Sequence, residues 1–439
     1  MVTTSAQAPK RSFPAAVAAT YGANVTAAVL SLANVFVTAR ALGPTGRGEL
    51  AFLTTIAMLT ATLATIGVEE ANGNIASTEP SHRRALATNS VVLAILLGGL
   101  AAALLTGLVA VFPEIVGESD PGLRWLAVAA IPILILQLYL QFLIRAEYGF
   151  TITNLAALVG PALTVAVNGS LVLAGLISVG TALAVWVGAQ AIATAVLVWY
   201  VARRLHGFGK PQVGLALRAL GFGAKAHAGR VMKTGNYRLD QWLLGAMAGP
   251  RELGLYSVAV AWSEAVFYLP EAIGMVMRPD LARASRADAA RRGAQAFRVA
   301  VVLTVPFVLV LVAAAPFLCV TVFGDSFEGS VRQLRILAPG AFGIIALKLL
   351  ANALTAQRKP MLGNAAIAVA FAATIVFDVL LIPRYGGFGA AIASTLAYSA
   401  GGVAVAVIFT RTLGGRLADL VPRGRDVGVF AARLRSSAG

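Results

Sequence analysis

Long apolar runs, separated by only a few polar residues, follow one another almost without interruption from residue 13 to residue 410. A helix needs about 20 predominantly apolar residues to cross a hydrocarbon core roughly 30 Å thick, and these runs meet that length. Lipid offers no partners to backbone N–H and C=O groups, so each crossing segment must satisfy its own. Helices do so. A closed barrel would instead show segments of about ten residues in strict alternation, and these runs are longer and uniformly apolar. The expected fold is an all-α integral membrane protein of twelve transmembrane helices, at 13–40, 48–74, 86–112, 122–145, 150–176, 178–202, 221–248, 252–278, 296–321, 331–356, 361–383 and 387–410. The first run has no small-residue cleavage site and is too long for a signal-peptide core, so it is expected to stay in the protein.

Composition enters through the charges. Only 12% of the 439 residues are charged against 58% hydrophobic, and mean hydropathy is +0.81. The net charge of +16 would fit a nucleic-acid partner if it were clustered on a soluble surface, but most Lys and Arg residues fall in the two tails and the even-numbered loops. Positive residues mark the cytoplasmic side, so both termini are expected there, in a bacterial inner membrane, with no nucleic-acid partner. Cys319 is the one cysteine and lies in a span, which excludes an internal disulfide and a cysteine-based metal site.

The longest break between apolar blocks is the basic stretch 203–220, "RRLHGFGKPQVGLALRAL". It divides the chain into an expected six-helix lobe at 1–202, a cytoplasmic linker at 203–220 whose second part suits a short amphipathic helix, a second lobe at 221–415, and a basic tail at 416–439. The halves resemble each other. "ALGPTGRGELAF" follows the first span and "AMAGPRELGLYS" the seventh, so that Gly43, Pro44 and Gly48 correspond to Gly249, Pro250 and Gly254; Arg203, Leu205 and Gly207 likewise correspond to Arg411, Leu413 and Gly415. Matching order and an even number of spans point to a parallel repeat.

Outer loops are short. His82, His206 and His227 are scattered, and no H-E-x-x-H, G-x-S-x-G, P-loop or paired-cysteine spacing occurs. No catalytic residue, cofactor or metal is expected.

Residues 237–282, "YRLDQWLLGAMAGPRELGLYSVAVAWSEAVFYLPEAIGMVMRPDLA", are similar to the central segment of Wzx-type polysaccharide/O-antigen flippases, within the multidrug/oligosaccharidyl-lipid/polysaccharide exporter superfamily. "ARALGPTGRGELAF" and "LIPRYGGFGAAIASTLAY" extend the resemblance over nearly the whole chain. It implies two pseudo-symmetric six-helix lobes around a cavity that opens alternately to either side. The cargo it implies is an undecaprenyl- or other polyprenyl-pyrophosphate oligosaccharide, moved from the inner to the outer leaflet, with membrane lipid as surroundings and H⁺ or Na⁺ as a coupling ion.

Charges inside spans are the candidate site. With 3.6 residues per turn, Arg230, Lys233, Tyr237 and Asp240 share an arc of about 80° and Arg238 lies about 80° to the other side of Arg230. Arg230 and Lys233 sit roughly 14 to 18 Å inward from residue 221. A charge at that depth costs about 2.5–3.5 kcal/mol on insertion scales, so it faces protein or a wet cavity. Arg230, Lys233, Arg238 and Lys348 are the expected pyrophosphate-binding cations. Asp240, Glu264 and Glu271 are their charge partners or, alternatively, sites of ion coupling. Asp378, Glu69 and Glu70 fall near span ends and are expected at the membrane interface. The span asparagines are expected to join helices by hydrogen bonds. A multidrug/cation antiporter, a lipid II flippase and a membrane enzyme of glycan assembly stay open as other readings.

Overall fold

In the computed structural model, residues 13–116 and 119–423, with Gly428, are described. Of the expected tail at 416–439, the residues beyond 423 other than Gly428 lie outside them. Among the described residues there is no β-strand. The helices are α1 (Phe13–Ala64), α2 (Val68–Thr78), α3 (Arg83–Val111), α4 (Pro121–Ala146), α5 (Phe150–Leu173), α6 (Val179–Arg204), α7 (Val213–Glu264), α8 (Tyr268–Arg283), α9 (Arg286–Pro316), α10 (Glu328–Ala356) and α11 (Pro360–Leu413).

Nine helical stretches among the described residues are long and apolar enough to cross a membrane. Three of them carry two spans each, because α1, α7 and α11 are broken at Gly43 (φ 67°), Gly249 (φ 85°) and Gly386 (φ 54°). Glycine alone adopts that left-handed backbone at no steric cost. After Gly43 and Gly249 comes a proline, pre-set for the first turn of the next helix. The chain doubles back at these points: Gly245 faces Leu253 across one turn, and Gly389 faces the Leu381 carbonyl across another. Twelve spans result, in two pseudo-symmetric six-helix lobes.

Two local details depart from the sequence expectation. The basic stretch does not hold a separate amphipathic helix; its second part forms the first turns of α7, which runs unbroken from Val213 to the Gly249 kink. The second span breaks at Ile66 (φ 48°) and Gly67 (φ 72°), so its last part is α2, packed inward.

The end where α1 begins and α11 finishes is called basal here, and the end with the three glycine turns distal. At the distal end the two repeated turns dock on each other. A Cβ on Gly48 would lie 1.6 Å from the Pro250 carbonyl oxygen, and one on Gly254 would lie 1.8 Å from that of Pro44. Both positions therefore admit only glycine while the lobes are in this arrangement. Around this contact an apolar cluster that includes Phe52, Leu244, Leu253, Tyr256, Phe323 and Phe327 joins the lobes. Arg40 donates across the seam to the Val322 carbonyl (2.7 Å), and Trp242 Nε1 to that of Ile115 (3.1 Å). At the basal end the lobes meet again where Gly67 lies against Gly223, backbone to backbone.

Candidate functional site

Between these two seams lies a cavity of about 840 Å³. Its first-lobe wall comes from α1, α5 and α6, and its second-lobe wall from α7, α8 and the turn between them. The volume is near the top of the range of about 300–1,000 Å³ that small-molecule sites occupy.

The walls differ chemically. Arg238, Glu264 and Glu271 line the second-lobe side. Arg238 holds Glu264 at 2.8 Å, and Glu271 is held at 3.0 Å by Lys348, which also donates to the Phe267 carbonyl. Glu264 sits where α7 gives way to a single 3₁₀ turn, Ala265–Phe267, before α8 resumes, so the helix is irregular where its carboxylate enters the cavity.

The polar stripe expected along α7 does not face one space. Arg230 turns toward α2 and pairs with Glu69 (2.6 Å) and Glu70 (2.7 Å), stacked near the Phe142 ring. Lys233 is exposed, without a hydrogen bond or ion pair among the described residues, and has Lys348, Glu271 and Arg230 as charged neighbours. Asp240 points into the second lobe, where it is 2% exposed and accepts from Tyr256 (2.5 Å) and Ser394 (3.1 Å). Of the seven candidates, Arg238, Glu264 and Glu271 line the cavity.

Two expectations are corrected. Glu69 and Asp378 are not interfacial, for each is 0% exposed. The break at Ile66 and Gly67 turns α2 inward and carries Glu69 with it. Asp378 faces α7 inside the second lobe, one turn beyond the Thr374 to Asn236 hydrogen bond (3.1 Å), and interacts electrostatically with Asp240. Both its carboxylate oxygens are buried without a hydrogen-bond partner among the described residues.

Sequence reasoning also missed Arg47. It lies in the first turn after Pro44 and lines the cavity; its Nε is buried and unpartnered. With Arg238, Glu264 and Glu271 all paired, Arg47 is the one ion on the cavity surface without a partner among the described residues. In sequence it is one more cation at a span end, and the structure places it on the cavity wall beside the docked turns. Asn154, Asn168 and Asn72 join helices as expected, to Thr20, Asn34 and Ser90.

The family model of "polysaccharide biosynthesis protein" matches residues 37–332. The chain belongs to this family. No curated protein matches it significantly in sequence. Members of the multidrug/oligosaccharidyl-lipid/polysaccharide exporter (MOP) superfamily share its fold. The lipid II flippase MurJ in an inward closed conformation superposes with a TM-score of 0.73 at 12% identity, over 91% of this chain and 88% of that one. An inward-facing multidrug resistance MATE transporter gives 0.67 at 13% identity, over 88% and 94%. A MOP-superfamily transporter from Pyrococcus furiosus, described by a reversed polarity of its binding pocket, gives 0.59 at 12% identity, over 91% and 94%. Identities this low establish shared architecture. They leave the cargo of this polysaccharide biosynthesis family member to its own cavity.

Proposed function

We propose that this protein is a flippase that carries a polyprenyl-pyrophosphate-linked oligosaccharide from the inner to the outer leaflet by alternating access. The observation that carries the reading is Arg47, a partly buried, unpaired cation in a cavity between two lobes. Removing a cation from water is costly unless something compensates it, and a pyrophosphate is a compensating anion that a guanidinium grips bidentately. The polyprenyl tail stays in lipid while the polar group crosses between the lobes.

The cations are staggered along the seam. At 1.5 Å per residue, Arg238 lies about 7.5 Å farther from the basal end than Lys233, and Arg47 about 10 Å farther again, measured from the adjacent Gly43 and Gly249 turns. Lys233 meets the anion first, Arg238 shares it with Glu264, and Arg47 holds it near the distal end. Arg230 and Lys348, bound to carboxylates, shape the field around this path. The basal end is the cytoplasmic one, on the charge pattern.

Coupling to H⁺ or Na⁺ is assigned to the Asp240 and Asp378 pair. Two interacting buried carboxylates, one with both oxygens unpartnered, fit a site that takes up one cation. The antiporter reading is the weaker one, since cationic drugs would call for an unpaired acid in the cavity and the unpaired ion there is Arg47.

Reconstitution tests the function. In proteoliposomes carrying a lipid-linked oligosaccharide in one leaflet, the protein should expose the glycan to a membrane-impermeant lectin on the other side. Transport of cationic dyes with no movement of the glycan lipid would reverse the assignment.

A further inference from the structure

The first-lobe wall of the cavity is neutral except at Arg47. On α1, Asn24, Ser31 and Asn34 fall within an arc of about 80° and all line the cavity. On α6, Trp186 and Gln190 are one turn apart on one face and also line it. Asn24, Ser31, Trp186 and Gln190 make no side-chain hydrogen bond among the described residues. Asn34 spends its oxygen on Asn168 (2.8 Å) and keeps its amide N–H groups.

Polar side chains inside a bilayer ordinarily find partners. Here amides, a hydroxyl and an indole from two helices converge on the same space and leave their hydrogen-bonding groups open to it. Such a set suits a ligand rich in alternating donors and acceptors with an apolar face for the indole, which describes a sugar ring. It does not suit an acidic one. Every cavity-lining ion but Arg47 is already paired, Lys233 is not part of the lining, and the pyrophosphate takes Arg47, so no unpaired cation on the cavity wall is left to neutralise a uronate or a sugar phosphate.

We infer that the first-lobe wall formed by Asn24, Asn34, Trp186 and Gln190 is the glycan subsite, and that it selects uncharged sugars. The inference rests on the flippase reading and adds to it which residues recognise the cargo and what cargo they exclude. Trp186 stacks against the ring nearest the pyrophosphate, and the amides read its hydroxyls. Asn24, Trp186 and Gln190 spend no side-chain hydrogen bond on the fold, so replacing them removes recognition without stranding a partner.

Mass spectrometry of lipids retained by the gently purified full-length protein tests this, comparing wild type with Trp186→Ala, Gln190→Leu and Asn24→Ala. Wild type should retain polyprenyl pyrophosphates bearing uncharged sugars in preference to bare polyprenyl pyrophosphate. Each variant should shift that ratio about three- to tenfold toward the bare lipid, the worth of one or two neutral contacts, while Arg47→Ala should lower both lipids together. Unchanged ratios in folded Asn24→Ala and Gln190→Leu protein, or glycans carrying acidic sugars, would overturn the inference and leave the flippase reading intact. If wild type retained no polyprenyl lipid of either kind, both would fall.

Discussion

Gly48 and Pro250 stand so close that a Cβ on the glycine would lie 1.6 Å from the proline carbonyl oxygen. The mirror pair, Gly254 and Pro44, repeats the contact at 1.8 Å. The two halves of an internal repeat thus form one clasp at the distal end, and an alternating-access cycle must open it. Gly48→Ala and Gly254→Ala should each broaden and lengthen the distance distribution between spin labels at Thr45 and Arg251, measured by pulsed dipolar spectroscopy. Gly107→Ala, where a Cβ meets nothing within 4 Å, should leave it unchanged. An unaltered distribution in both clasp variants would show that the contact does not hold the distal end.

Arg230 answers to Glu69 rather than to the cavity. Glu69 is fully buried, and removing the partner of a buried charge costs about 3–5 kcal/mol. Arg230→Ala should therefore lower the Tm and folded yield, and Glu69→Gln added to it should recover much of the loss. Loss of lipid binding from a stably folded Arg230→Ala protein would contradict this.

The Asp378 carboxylate, buried and unpartnered, makes a separate forecast. Asp378→Asn should abolish the response of transport to an imposed H⁺ or Na⁺ gradient while the affinity for polyprenyl pyrophosphate stays within about twofold, since charge removal here touches no cavity residue. Undiminished gradient dependence in both Asp378→Asn and Asp240→Asn would remove the coupling role from this pair.

Orientation rests on charge alone. Alkaline phosphatase fused after residue 290 should be inactive in intact cells, as the positive-inside pattern places that loop in the cytoplasm. An active fusion would invert the proposed direction of transport.

Much of the fold was legible in the sequence because lipid imposes a length and a hydropathy on every span. The repeat was legible for a related reason: Gly43-Pro44 and Gly249-Pro250 are chemically required by the turns they make. That these turns touch was not, since contact between segments about 200 residues apart leaves no periodicity. The same limit explains the site. Helical spacing grouped Arg230, Lys233 and Asp240 on one stripe, but neighbours set where each one points: Arg230 turns to α2, Asp240 to the second-lobe interior, and Lys233 stays exposed. Arg47 was hidden among the ordinary cations of span ends, and Asp378 looked interfacial because its burial depends on α7.

The affinity of folded Arg47→Ala protein for undecaprenyl pyrophosphate, beside wild type and Arg47→Lys, tests the central claim most directly. Losing charge-assisted contacts worth about 1.5–3 kcal/mol should weaken binding roughly ten- to a hundredfold, with Arg47→Lys intermediate because it keeps the charge and loses the bidentate grip. Wild-type affinity in Arg47→Ala protein that is as stable as wild type would contradict the account.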